Sequence, residues 1–163
     1  MKQRLAVLVM IAGCILAPVG VSSATPADDG RAILDATGVK GGFVVHLGCG
    51  TGELTAALRT NDSIVVQGLD PSSANVEKAR TAIQSSGLYG PISVNLLDGK
   101  RLPYVDNLVN LIVVEDAGQV PMMEIMRVLA PLGVAYVKQC GTWTKTVKPW
   151  PADIDEWPQH LYG

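Results

Sequence analysis

Five short apolar runs, separated by segments with helical spacing, constrain the fold of this 163-residue chain more than any other feature. The runs are mostly apolar, which is typical of strands buried on both faces of a sheet. Strands that alternate with helices predict an α/β fold with a doubly wound, mainly parallel sheet. The predicted strands are residues 43–47, 64–69, 92–97, 108–114 and 134–137.

The helices are predicted from apolar spacing, capping side chains and terminal glycines. The first predicted helix covers residues 31–37 and is capped by Asp29, and the second covers residues 53–59. The third is capped by Ser72 or Ser73 and ends at Gly87, and the fourth covers residues 122–129.

Residues 1–24 have the pattern of a cleaved export signal. Lys2 and Arg4 precede an apolar run over residues 5–21, and small residues follow at the cleavage position. Glycines and a proline interrupt a run shorter than the roughly 20 residues of a spanning helix, which disfavours a membrane anchor. A second interpretation is lipidation at Cys14, whose preceding residues resemble a bacterial lipobox. The sequence therefore predicts export to the periplasm or the cell exterior, with no stable membrane span after cleavage.

Composition divides the rest of the chain into a domain, residues 25–141, and an extension, residues 142–163. The extension holds all three tryptophans and three of the ten prolines, which predicts an extended wrap or linker. Loss of Lys2 and Arg4 leaves 11 basic against 15 acidic residues, a net charge of −4. A chain of that charge is not expected to bind nucleic acid.

The cysteines and histidines predict neither a disulfide nor a metal site. Cys49 and Cys140 follow strands two sheet positions apart, and two spacings of about 4.8 Å exceed the roughly 7 Å reach of a disulfide. Two unpaired thiols are expected. The two histidines, His46 and His160, form no cluster with metal-ligand spacing.

The turn after the first predicted strand carries glycine at every second position: Gly48, Gly50 and Gly52. Such glycines let the backbone turn tightly and approach a bound group. A dinucleotide-binding turn would have its third glycine at the position of Glu53, which disfavours NAD and FAD.

Two acidic residues end neighbouring predicted strands. Asp70 ends the second strand, where an acidic residue accepts hydrogen bonds from a ribose diol, and Asp98 ends the third. Because open α/β sheets bind ligands at the carboxyl ends of their strands, these residues and the glycine turn predict one crevice.

Over residues 29–137 the chain resembles class I S-adenosylmethionine-dependent methyltransferases of the type 11 kind. The sequence VHLGCGTG at residues 45–52 is similar to the glycine-rich first motif of that family. GLD at residues 68–70 and LDG at residues 97–99 are similar to its ribose-binding and adenine-contacting motifs. Residues 124–133 resemble the segment that leads into the fifth strand of its small-molecule enzymes.

The resemblance implies S-adenosylmethionine as the cofactor and a small molecule as methyl acceptor. It places the cofactor against His46, Gly48, Cys49, Gly50, Gly52, Asp70, Asp98 and Gly99. Glu115 and Asp116 would contact the acceptor, although an exposed acidic loop is an equal alternative. No catalytic residue is assigned, because direct methyl transfer depends mainly on positioning.

Position 46 has two interpretations. It is usually acidic in the family, where it would hold the cofactor's ammonium, and here it is His46. The alternative is a buried core histidine with its hydrogen bonds satisfied.

The implied fold is a Rossmann-like sheet in the order 3-2-1-4-5, without the usual last two strands. The extension also resembles exported planctomycete-type proteins, in which a methyltransferase-like domain precedes a quinone-protein-type propeller. The alternative function is therefore a non-catalytic exported docking domain that belongs with such a propeller.

Overall fold

The structure, a computed structural model, describes residues 25–152. The helices are α1 (Pro26–Thr37), α2 (Glu53–Ala57), α3 (Ser73–Ser85) and α4 (Met122–Val128). The strands are β1 (Gly42–Leu47), β2 (Ile64–Asp70), β3 (Ile92–Leu96), β4 (Val109–Val114), β5 (Leu129–Gln139) and β6 (Thr142–Val147).

One six-stranded sheet in the order β3-β2-β1-β4-β5-β6 forms the centre of the protein. Strands β1 to β5 pair in parallel, and β6 pairs antiparallel to β5. The predicted α/β fold and the order of its first five strands are confirmed. The order reverses between β1 and β4, which is where open sheets of this kind bind ligands.

Both faces of the central strands β1 and β4 are buried, as the apolar runs predicted. Val44 on β1 packs in the core beneath α1, α2 and α3, and its neighbour Val45 packs in the second core with α4. Both valines are fully buried. The two cores fix β1, and with it the turn that follows, from both sides.

Strand β6 corrects the prediction for the start of the extension. Residues 142–147 were expected to form an irregular wrap, and the sheet was expected to have about five strands. Instead these residues form an antiparallel edge strand beside β5. The ring of Trp143 stacks on Tyr136 of β5 with centroids 4.9 Å apart and planes 6° from parallel. The sheet therefore has one antiparallel edge strand more than expected.

Two further boundaries differ from the prediction. Helix α1 begins at Pro26, because Thr25 forms a capping box with Asp28, so Asp29 lies inside the helix instead of capping it. Strand β5 begins at Leu129, and its pairing with β4 shifts register where Leu132 adopts a φ of 63°.

The predicted export signal over residues 1–24, the lipidation at Cys14 and the end of the extension lie outside the described residues. Within residues 25–152, no helix is long and apolar enough to cross a membrane.

Candidate functional site

The three glycines after β1 differ in what surrounds them. All have positive φ, at 73°, 51° and 83° for Gly48, Gly50 and Gly52. A Cβ at Gly48 would lie 2.7 Å from the backbone nitrogen of Asp116, and one at Gly52 would lie 2.9 Å from the Cβ of Ala79. A Cβ at Gly50 would meet no atom of the described residues within 4 Å. Packing explains two of the glycines, whereas the third faces open space.

A cavity of about 280 Å³ opens beside this turn. Its walls come from the start of α1, from the turn with the start of α2, and from the end of β4. The lining residues are Pro26, Asp29, Cys49, Gly50, Thr51, Glu53, Leu54 and Glu115.

Asp70 joins the end of β2 to the glycine turn. Its Oδ2 accepts a hydrogen bond of 2.9 Å from the backbone N–H of Gly50, and its Oδ1 accepts from the backbone N–H of Ser72 and the amide of Asn75. The residue is 3% exposed. A carboxylate has about four lone-pair positions, and three donors of the chain already use this one. Asp70 therefore organises the turn, whatever else it binds.

Asp98 and Gly99 lie at the same edge of the sheet, just after β3. Both are exposed, and Gly99 has a φ of 83°. The backbone N–H of Leu97 donates to the carbonyl of Asp70 at 2.9 Å, which fixes where this segment leaves the sheet. Neither residue lines the cavity beside the glycine turn, so the structure groups them with Asp70 at the strand ends.

Cys49 packs behind the turn and is almost fully buried. Burial, with a smaller contribution from Asp70, raises the pKa of its thiol to about 12. The thiol is therefore protonated at neutral pH, and its side chain packs against Gly68. Cys140 is exposed, and neither cysteine is bonded to another.

Glu115 and Asp116 differ in position despite their adjacency. Glu115 lines the cavity, and its Oε1 accepts a hydrogen bond of 3.1 Å from Lys138. The carboxylate of Asp116 turns back and accepts from the backbone N–H of Gly118 at 2.8 Å. Of the two, Glu115 is the one that the structure brings to the glycine turn.

His46 is a fully buried residue of β1. Its Nδ1 lies 2.9 Å from Oγ1 of Thr55, and its Nε2 lies 3.5 Å from Oε2 of Glu115. The distance from Nε2 to Glu115 is longer than that of a well-formed hydrogen bond, and Nε2 has no other hydrogen-bond partner among the described residues. His46 thus lies behind Glu115 and does not line the cavity.

The structure adds two residues that the sequence did not single out, Thr55 and Lys138. Thr55 contacts His46, and Lys138 contacts Glu115. No local motif marks either residue. Across residues 25–152, no group of three or more His, Cys, Asp or Glu side chains is arranged to hold a metal ion.

Comparison with known proteins agrees with the fold and with the glycine turn. A methyltransferase domain family matches residues 44–133, from β1 into β5. The methyltransferase GfsG of Streptomyces halstedii is 35% identical over 109 residues, covering 61% of this chain and 39% of that protein. A demethylmenaquinone methyltransferase of Lactobacillus johnsonii is 36% identical over 116 residues, covering 66% of this chain and 47% of that protein.

A crystal structure from Methanococcus maripaludis, named as a candidate S-adenosyl-L-methionine-dependent methyltransferase, superposes with a TM-score of 0.61 at 28% identity. The match covers 69% of this chain and 54% of that one. The chain spans less than half the length of the two curated relatives described above. From the family match, the sheet order and the glycine turn together, the chain belongs to the methyltransferase domain family of the class I, S-adenosylmethionine-dependent type.

Proposed function

We propose that this domain binds S-adenosylmethionine and transfers its methyl group to a small acceptor molecule. The observation that carries the proposal is the position of Gly50 at the cavity. Surface glycines such as Gly87 share its positive φ and open Cβ position, but Gly50 lines the cavity beside the turn and its N–H is held by Asp70. A backbone that must approach a ligand explains an unhindered glycine at this place.

The residues around this turn fit the cofactor. The turn of Gly48, Cys49, Gly50 and Gly52 would hold the methionine portion, as the adjoining cavity supports. Asp70 would receive the ribose hydroxyls with its remaining acceptor capacity. For Asp98 and Gly99, we propose contact with the adenine, which their exposure at the end of β3 supports.

Methyl transfer from a sulfonium needs little general acid or base catalysis by the protein. When bound, S-adenosylmethionine supplies a methyl group activated by its sulfonium for in-line displacement. The chain's part is to hold donor and acceptor in line and to exclude competing geometries. We therefore assign no catalytic residue. Asp116 is proposed as an acceptor contact, because it follows β4 at the edge where the ligand binds.

The test is methyl transfer from cofactor labelled on its methyl group to a panel of small oxygen, nitrogen and carbon nucleophiles. The proposal expects label in at least one acceptor with the wild-type protein and none with a Gly50→Val variant. Binding of the cofactor without transfer to any acceptor would instead favour the alternative, a non-catalytic binding or docking domain.

Export is a second proposal, supported by the pattern of residues 1–24. Expression of the full-length gene in a bacterium with two membranes tests it by fractionation and amino-terminal sequencing. A mature protein that begins at Thr25 in the periplasm is expected. Retention of residues 1–24 in the cytoplasm would contradict it, and a lipid on Cys14 would favour lipidation over cleavage.

A propeller partner is a third proposal. It rests on the Trp/Pro-rich extension, which resembles the segment that links such domains. Sequencing the reading frame beyond Gly163 tests it, with repeated propeller blades as the expected result. A stop codon or an unrelated domain there would contradict it.

A further inference from the structure

The cavity beside the glycine turn has an acidic lining. Among residues 25–152, three of its lining side chains are carboxylates, those of Asp29, Glu53 and Glu115, and none is Lys, Arg or His. A cavity with this charge favours a positively charged group over an anion. The lining alone does not say which carboxylate would receive that group.

Glu115 is the one of the three that the fold holds in place. Its Oε1 lies 3.1 Å from Nζ of Lys138, and its Oε2 lies 3.5 Å from Nε2 of His46. The histidine, followed by the lysine, lowers the pKa of Glu115 to about 2, so the carboxylate is charged at neutral pH. Asp29 and Glu53 are exposed, and their carboxylates make no hydrogen bond or ion pair with the described residues.

His46 supports this carboxylate from the protein interior. Its ring is fully buried, and its Nε2 has no hydrogen-bond partner within residues 25–152. The group that this nitrogen faces is the Glu115 carboxylate, which favours a proton on Nε2 and leaves Nδ1 to accept from the Thr55 hydroxyl. His46 therefore orients Glu115 toward the cavity without reaching the cavity itself.

Lys138 does not compensate for the cavity's charge. Its side chain is 40% exposed, and its ammonium also lies 5.4 Å from the centre of the Trp143 ring. An exposed ion pair of this kind is weak in water, so Glu115 keeps attraction for a second cation.

We propose, on the basis of the proposed function, that Glu115 receives the ammonium group of the cofactor's methionine portion. His46 is its positioning residue. The carboxylate that binds this ammonium thus comes from the end of β4, while β1 supplies the imidazole that supports it.

The experiment is a thermodynamic cycle between one side chain and one ligand group. S-adenosylhomocysteine and its analogue lacking only the amino group are titrated by calorimetry into the full-length wild-type protein and into Glu115→Gln. The wild type is expected to prefer the amino ligand by about tenfold or more, as for a charge-assisted contact. The Glu115→Gln variant should bind both ligands with affinities within about twofold.

Control variants separate positioning from folding. Glu77→Gln removes an exposed carboxylate of α3 and should keep the wild-type preference. His46→Leu removes the imidazole behind Glu115 and should reduce the preference for the amino ligand while leaving affinity for the deamino ligand unchanged, which a merely structural role would not do. Lys138→Gln removes a cation that competes with the ligand for Glu115 and should keep or increase the preference. Thermal unfolding of each variant checks that it is folded at the temperature of the titration.

Two outcomes overturn the inference in distinguishable ways. If the wild type binds neither ligand, the proposed function fails, and the inference fails with it. If the wild type binds S-adenosylhomocysteine but Glu115→Gln retains the preference for the amino ligand, the proposed function survives and the role of Glu115 is wrong.

Discussion

The carboxylate of Asp70 accepts a hydrogen bond from the backbone N–H of Gly50 over 2.9 Å. The end of β2 thereby holds the middle glycine of the turn after β1. Asp70 is 3% exposed, whereas Gly50 is partly buried and lines the cavity. A residue expected from the sequence to bind a ribose also fixes the backbone of the proposed methionine site.

The Asp70→Ala variant is therefore expected to lose both stability and ligand affinity. It leaves the N–H groups of Gly50 and Ser72, both partly buried, without their charged acceptor, and a hydrogen bond to a charged group contributes about 1.5–3 kcal/mol. Affinity for S-adenosylhomocysteine should fall at least about tenfold, because the turn and the ribose contact are both affected. Urea unfolding and calorimetry measure the two effects. As a control, Asn75→Ala removes one donor to Asp70 and should retain most of the affinity.

The Gly50→Ala variant tests whether the open space at this residue serves a ligand. Left-handed backbone at a non-glycine residue costs about 1–2 kcal/mol, so a modest loss of stability is expected. The matched control is Gly87→Ala, since Gly87 has a φ of 68° and equally open surroundings at the end of α3. Both variants should lose similar stability, but only Gly50→Ala should lose affinity. Equal affinities in calorimetry would contradict a ligand at Gly50.

Strand β6 is predicted to contribute to the stability of the sheet. Trp143→Ala removes the stack on Tyr136 and should lower the free energy of unfolding by about 1–2 kcal/mol. Trp150→Ala is the control, because that side chain is 52% exposed, and its effect should stay within about 0.5 kcal/mol. Urea denaturation followed by fluorescence or circular dichroism measures both. Indistinguishable variants would mean that β6 adds nothing to the fold.

We expect the Glu124 carboxylate to contribute to the loss of stability of the protein at acid pH. The guanidinium of Arg127, ahead of the backbone N–H of Leu102, lowers the pKa of Glu124 from 4.5 to about 2. A carboxyl whose pKa is lower in the folded state stabilises the protein above its unfolded pKa, and this contribution is lost as the pH falls toward 2.

The Glu124→Gln variant should therefore be less stable than the wild type at pH 7, and the difference should shrink as the pH falls from 4.5 toward 2. Urea unfolding at several pH values measures it. Glu77→Gln serves as control and should differ little from the wild type throughout. A difference for Glu124→Gln that is independent of pH would contradict the role of its charge.

The sequence predicted the five buried strands because burial on both faces demands continuous apolar residues, as in Val44 and Val45. It missed β6 because an edge strand needs no such run: only Trp143 and Thr146 are partly buried, and most of the strand is polar and exposed. The start of α1 was missed because Thr25 and Asp28 form the capping box, whereas Asp29 was the expected cap.

The glycine turn and Asp70 could be found from the sequence because each lies in a local motif. The contacts of Glu115 with His46 and Lys138 could not, because β1, β5 and the segment after β4, which are far apart in sequence, bring these residues together. The sequence identified His46 as a direct cofactor contact or a core histidine. The structure buries it fully, with Glu115 between its Nε2 and the cavity.

The most direct test of the account is a calorimetric titration of the purified full-length protein with S-adenosylhomocysteine. Because the glycine turn, the cavity and Asp70 are already formed in the chain, the account predicts saturable binding of one ligand per chain. It also predicts loss of that binding in Gly50→Val. Absence of saturable heat at millimolar ligand, or equal affinity in Gly50→Val, would contradict the central claim that this turn holds the cofactor.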